Sequence, residues 1–178
     1  MTFAVSERRI KSLAALILVL ALAACGGDQE LALEDTAPET IFQRAERQLA
    51  DGDADDAARL FSEVERLYPF SEWARRGLIM QAFAYHPARD YENARAAAQR
   101  FIDFSPADED AAYAQYLLAL TYYDQIDQVG RDQGLTFQAL QNLRTVIERY
   151  PESEYARSSI LKFDLAFDHL AAKEMEIG

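Results

Sequence analysis

The sequence predicts an all-α chain built as a solenoid of helical hairpins, and three observations predict it. Ala, Leu, Glu, Gln and Arg fill long stretches, while 178 residues hold only 7 Gly and 5 Pro, a balance that favours helix over strand or loop. An octapeptide recurs: Tyr68-Pro69-Phe70-Ser71-Glu72-Trp73-Ala74-Arg75 returns as Tyr150-Pro151-Glu152-Ser153-Glu154-Tyr155-Ala156-Arg157, identical at six of eight positions, with one aromatic exchanged for another. Alanines keep a fixed distance from the prolines: Ala57, Ala94 and Ala139 stand 12 residues before Pro69, Pro106 and Pro151, and Ala82 and Ala119 stand 13 residues after the first two. Small residues at constant spacing mark where paired helices cross, and proline ends each unit.

The first element is an address. Arg8, Arg9 and Lys11 precede an unbroken apolar run from Leu13 to Ala24, which reads as a secretory signal over 1–24. A membrane span needs about 20 apolar residues, so this shorter run is not expected to remain as one. It ends Leu22-Ala23-Ala24-Cys25-Gly26, which resembles the bacterial lipobox. There the cysteine thiol takes a diacylglycerol and the freed amine a further acyl chain, such as palmitate. Each buried methylene contributes about 0.8 kcal/mol, so several chains give lasting attachment to outer-membrane lipid. Cys25 is the sole cysteine, which also excludes an intramolecular disulfide. Gly26 in place of Asp implies, by resemblance to lipoprotein sorting, the periplasmic face of the outer membrane. Residues 25–37 are expected to be the acylated cysteine and a flexible, acidic tether.

The hairpins follow over 38–178, in a register that resembles tetratricopeptide (TPR) repeats. The first is expected over about 38–72, with Ala45, Gly52, Ala57 and Phe61 at signature positions and Gly52 turning the corner. The second spans about 75–108, with Ala82, Tyr85 and Ala94, its first helix ended by Pro87. The third spans about 112–151. Its alanines Ala119 and Ala139 lie 20 residues apart instead of 12, so an enlarged loop is expected between Gln125 and Leu135, around Gly130 and Gly134. A last helix is expected over 152–177, with Ile160, Leu161, Phe163, Leu165, Ala166, Phe167 and Leu170 on an apolar face. A solenoid end normally turns a polar face outward, so a further repeat is expected beyond Gly178.

The function classes narrow by exclusion. The chain carries a net charge of -12, and its first 24 residues are net positive, so the rest is more acidic still; nucleic acid is not an expected partner. His86 and His169 are the only histidines and lack zinc-site spacing. With no nucleophile elbow and no glycine-rich phosphate loop, the reading is a binding scaffold without cofactor or metal, and not an enzyme.

In TPR register the groove-facing positions of the first helix of each hairpin hold Phe42 and Leu49, then Ile79, Phe83 and His86, then Tyr113, Tyr116, Leu120 and Tyr123. This predicts an aromatic, apolar groove for an extended peptide, with Arg76 as the cation for a peptide carboxylate. Arg95 is expected on the opposite, convex face. The Lys and Asn that a two-carboxylate clamp needs at two of these positions are replaced by Phe42 and Glu46, then Ile79 and Phe83. Arg131 and Asp132, in the enlarged loop, are expected to meet a protein partner.

Several runs carry a wider resemblance: Arg66-Leu67-Tyr68-Pro69-Phe70, Arg89-Asp90-Tyr91-Glu92-Asn93-Ala94, Gln99-Arg100-Phe101-Ile102, Ala114 to Asp124, the loop through Arg131-Asp132, and Val146 to Pro151. From Thr40 onward the sequence resembles the BamD family of outer-membrane protein assembly factors, the YfiO or ComL lipoproteins, particularly its alphaproteobacterial members. The resemblance implies five TPRs, of which this chain would hold the N-terminal portion. It also implies a place in the BAM complex with BamA and other Bam lipoproteins, and a groove that receives the C-terminal β-signal of unfolded outer-membrane proteins for insertion into the membrane. A TPR lipoprotein organising peptidoglycan or cell-division partners is the alternative, since such proteins also carry tandem Tyr-Pro repeats.

Overall fold

The computed structural model describes residues 33–126 and 133–177. Cys25, Arg131 and Asp132 lie outside the described residues. A short 3-10 turn at Leu33–Asp35 precedes the helical domain. That domain holds seven helices among the described residues: α1 Pro38–Asp51, α2 Ala54–Leu67, α3 Glu72–Tyr85, α4 Tyr91–Phe104, α5 Ala111–Tyr123, α6 Gln133–Arg149 and α7 Glu154–Ile177. It is an all-α TPR-like solenoid: α1 pairs with α2, α3 with α4 and α5 with α6, and each helix packs on the next along the chain.

The repeated octapeptide earns its identities at the turn from one hairpin to the next. Ser71 caps α3 by accepting the Ala74 N–H at 3.1 Å, and its hydroxyl donates to the Tyr68 carbonyl at 2.8 Å. Ser153 does the same before α7, accepting from Ala156 N–H at 3.2 Å and donating to Tyr150 O at 2.7 Å. A serine at this place satisfies one of the donors that a helix start leaves open. In the divergent middle turn Asp108 stands where the serines stand, accepts from the Asp110 N–H at 3.0 Å and pairs with Arg75. Ala74 and Ala156, at the same place in the two copies, are each 3% exposed.

Within each hairpin the crossing is close. Ala45 and Ala57, Ala82 and Ala94, and Ala119 and Ala139 are all at 0–1% exposure. Gly52 closes α1 in the left-handed region at φ 95°, and Gln48 O accepts from Asp53 N–H at 2.9 Å. Arg89 takes the corresponding place after α3, also at positive φ, 61°; both residues lie 17 positions before their hairpin's proline. Asp90 then caps α4, accepting from Asn93 N–H at 3.2 Å. The insertion in the third hairpin differs at its far end from the loop expected: α6 begins at Gln133, so Gly134 falls in its first turn.

Curvature follows from which helices meet. The first helices of successive hairpins touch (α1 with α3, α3 with α5, α5 with α7), while the second helices splay apart. The first helices therefore form the inner face. The most enclosed is α5, which buries Ala111, Ala112, Ala114, Gln115, Leu117, Leu118, Ala119 and Thr121. The helices before it are tied by a polar thread: Arg100 donates to Gln81 Oε1 at 2.9 Å and pairs with Glu65 at 3.0 Å, linking α4 to α3 and α2.

Two substitutions separate the turn from the crossing. A Cβ at Gly52 would meet nothing within 4 Å, so Gly52→Ala should cost only the left-handed backbone, about 1 kcal/mol. Ala82→Leu forces volume into a filled crossing and should cost about 1–3 kcal/mol. Urea denaturation of both variants checks the order; equal losses would contradict it.

Candidate functional site

The inner face carries aromatic side chains in two brackets with the same plan. In the first, Phe42 of α1 meets Trp73 of α3, ring centroids 5.1 Å apart, and Phe61 of α2 lies edge-on at 5.1 Å. In the second, Tyr113 and Tyr116 of α5 meet Tyr155 of α7 at 5.1 and 5.4 Å. Trp73 and Tyr155 are the exchanged aromatics of the octapeptide, so the repeat places one ring at the head of a first helix to cover the ring of the helix before it.

The coverage corrects part of the sequence reading. Phe42, expected to line the open groove, is 1% exposed beneath Trp73, and Ile79 is 6% exposed within a cluster with Leu78, Phe101 and Leu117. The position faces the next hairpin before it faces solvent. Phe83 is 39% exposed, and Tyr113, Tyr116 and Tyr123 are half-buried. These four remain reachable from the groove.

Arg76 is exposed and lies across the first bracket, its guanidinium carbon 5.0 Å from the Phe42 centroid and 4.8 Å from that of Trp73. Stacking on two ring faces fixes the planar group and leaves its edge donors directed away from them. The second bracket has no such cap: Ser158 stands at the corresponding place in the repeat, and the tyrosine rings themselves form the surface. Arg95, expected on the convex side, covers the Tyr122 ring at 4.8 Å, where α4 packs on α5.

At the other end of the first helices lies a cavity of about 480 Å³, lined by Arg89, Tyr91, Tyr123, Asp124, Leu165 and His169 among others. His86 Nε2 is 2.9 Å from Asp124 Oδ2, and Lys162 Nζ stands 5.3 Å from the Tyr123 centroid. Of these only Tyr123 and His86 were assigned to the groove from sequence. Trp73 and Tyr155 were legible as a matched pair, whereas Arg89 is identified only by aligning it with Gly52.

Among the described residues no cluster of His, Cys, Asp or Glu could hold a metal ion, and no helix is long and apolar enough to cross a membrane.

Comparison with known proteins supplies the relationship. The family model YfiO, described as outer membrane lipoprotein, matches residues 34–178. The outer membrane protein assembly factor BamD of Caulobacter vibrioides is 40% identical over 94% of this chain and 56% of its own length. That of Rickettsia prowazekii is 42% identical over 68% of this chain and 49% of its own. The chain thus spans about half the length of these curated relatives. Among solved structures, MamA from Desulfovibrio magneticus RS-1, residues 41 to the end, superposes with a TM-score of 0.55 at 22% identity, covering 80% of this chain and 76% of its own. The C-terminal TPR-containing domain of a Plasmodium falciparum FK506-binding protein gives 0.56 at 15%, covering 81% and 99%. Both speak for the fold alone.

Burial, then the neighbouring Tyr155, pushes the Tyr113 hydroxyl from 10.0 up to about 12. The folded protein holds that proton more tightly than the unfolded chain, so the stability linked to it is complete below pH 10 and is lost as pH rises to 12. Tyr113→Phe should therefore flatten the fall in melting temperature across that window. A fall identical to that of the wild type would remove Tyr113 as its source.

Proposed function

This chain belongs to the YfiO family of outer membrane lipoproteins, and from that premise we propose that it is a lipid-anchored scaffold for the assembly of outer-membrane proteins. In this reading Cys25 holds it at the periplasmic face of the outer membrane, within the BAM complex beside BamA and other Bam lipoproteins. The inner face receives an extended segment, the C-terminal β-signal, of an unfolded barrel protein. Arg131 and Asp132 contribute to a partner contact.

The observation that carries the proposal is the aromatic inner face. Phe83, Tyr113, Tyr116 and Tyr123 are stiff, partly accessible rings on adjacent first helices. Such rings bury large area with little rotamer entropy to lose, and tyrosine hydroxyls can meet peptide amides at the same time. Arg76 adds a cation already fixed by two rings. An apolar, extended peptide fits this surface better than a charged or compact one. The acidic remainder of the surface discourages adventitious anions.

Two experiments test the proposal. In cells, Cys25→Ser removes the thiol that takes the lipid, and the protein should leave the outer-membrane fraction; a processed Cys25→Ser protein that still fractionates there would contradict the anchor. In solution, Phe83→Ala and Tyr116→Ala should each weaken a labelled barrel C-terminal peptide about tenfold, as buried aromatic anchors do. Gln99→Ala, on the exposed side of α4, should leave affinity unchanged. Groove variants that bind like Gln99→Ala would end the groove assignment.

A further inference from the structure

Arg89 is the only non-glycine residue at positive φ among the described residues. The first hairpin solves the same corner with Gly52, which adopts that conformation without steric conflict. Arginine does not, and a strained position held by a long cationic side chain points to a use for that side chain.

Its surroundings indicate the use. Arg89 lines the cavity of about 480 Å³ together with the tyrosine rings Tyr91 and Tyr123 and the apolar Leu165. Lys162 adds a second cation beside Tyr123, 5.3 Å from its centroid, while the acid in the lining, Asp124, already faces His86 at 2.9 Å. Arg59, Arg66, Arg75 and Arg100 are each paired with a carboxylate; Arg89 has no acid partner among the described residues. An uncommitted cation above aromatic and apolar walls, in a molecule of net charge -12, selects a ligand with one negative group on an apolar body.

Tyr123, one of the rings of the proposed groove, also lines the cavity. Resting on the groove reading above, we infer that the Arg89 cavity seats the last side chain and the free C-terminal carboxylate of the bound peptide. The peptide then runs with its C-terminus towards the carboxyl ends of α3 and α5. Arg76 lies near the other end of the first helices, flat on Phe42 and Trp73 and open to water. There it meets the body of the peptide and not its end.

The test is fluorescence anisotropy with the full chain and an N-terminally labelled decapeptide of alternating aliphatic and polar residues ending in phenylalanine, made as the free acid and as the amide. The wild type should prefer the acid by about tenfold, the scale of one charge-assisted hydrogen bond. Arg89→Asn, which keeps a residue tolerant of the left-handed backbone, should lose the preference while retaining amide binding, and Arg89→Lys should recover part of it. Arg76→Gln should weaken both peptides equally. An acid preference that survives Arg89→Asn, or that vanishes only in Arg76→Gln, overturns the inference and leaves the groove intact. Wild-type protein that binds neither peptide, or binding indifferent to Phe83→Ala and Tyr116→Ala, ends the groove reading and this one with it. Arg89-dependent capture of phosphatidylglycerol vesicles without any acid preference would assign the cavity to lipid phosphate and likewise overturn it.

Discussion

The rest of the molecule depends on how closely two helices can approach at one alanine each. With Ala45, Ala57, Ala82, Ala94, Ala119 and Ala139 all buried, no side chain longer than a methyl group stands at these positions, and Phe61 and Phe101 are buried in the same core. That contact sets the angle within the hairpin. The turn between hairpins, with its proline and its capping serine or aspartate, then sets the angle to the next. Once both are fixed, the first helices converge and the second helices diverge, and an inner face exists whatever residues line it.

What lines it is decided by the same repeat. An aromatic at the head of a first helix, Trp73 or Tyr155, must cover something on the first helix of the hairpin before, and the covered residue is Phe42 in one case and Tyr113 with Tyr116 in the other. Structural cover and the proposed binding surface are therefore one set of rings divided by depth. Where the covered ring is phenylalanine it sinks to full burial and an arginine closes the bracket. Where it is tyrosine, the ring stays half-buried and the bracket remains at the surface. Burial of the Tyr113 hydroxyl shows as a proton held far more tightly than usual, the signature of a polar tip at the edge of an apolar layer.

The fold class was legible because its causes are local and repeat: proline, serine cap and small crossing residue recur at fixed spacing, and each has a steric or hydrogen-bonding reason. The lining was only partly legible. Helical register says which residues point inward, but not whether the next hairpin's side chain will lie over them. Phe42 and Ile79 were read as groove and lie in the core. Both differences arise from contacts between hairpins, which depend on angles the sequence does not state. The cavity at Arg89 was missed for another reason: its place opposite Gly52 can be counted from the prolines, but that an arginine keeps the glycine's backbone conformation shows only in the dihedral angles.

Charge bears on what the proposed inner-face groove would select. An acidic domain with every cation paired would repel the carboxylate of a peptide end, whereas one with many loose cations would collect anions without discrimination. Here several arginines are spent on ion pairs, and others lie over rings: Arg76 on Phe42 and Trp73, Arg95 on Tyr122, Arg144 on Phe163. A cation over a ring face keeps its charge and its edge donors but loses its freedom to move, so these arginines stand at fixed places. A flexible lysine on an open surface would attract the same anion from any direction. In the proposed reading, Arg89 at a half-open cavity and Arg76 over its rings would give an extended ligand a direction, because its one charged end would sit beside Arg89 and its apolar body would not need a cavity.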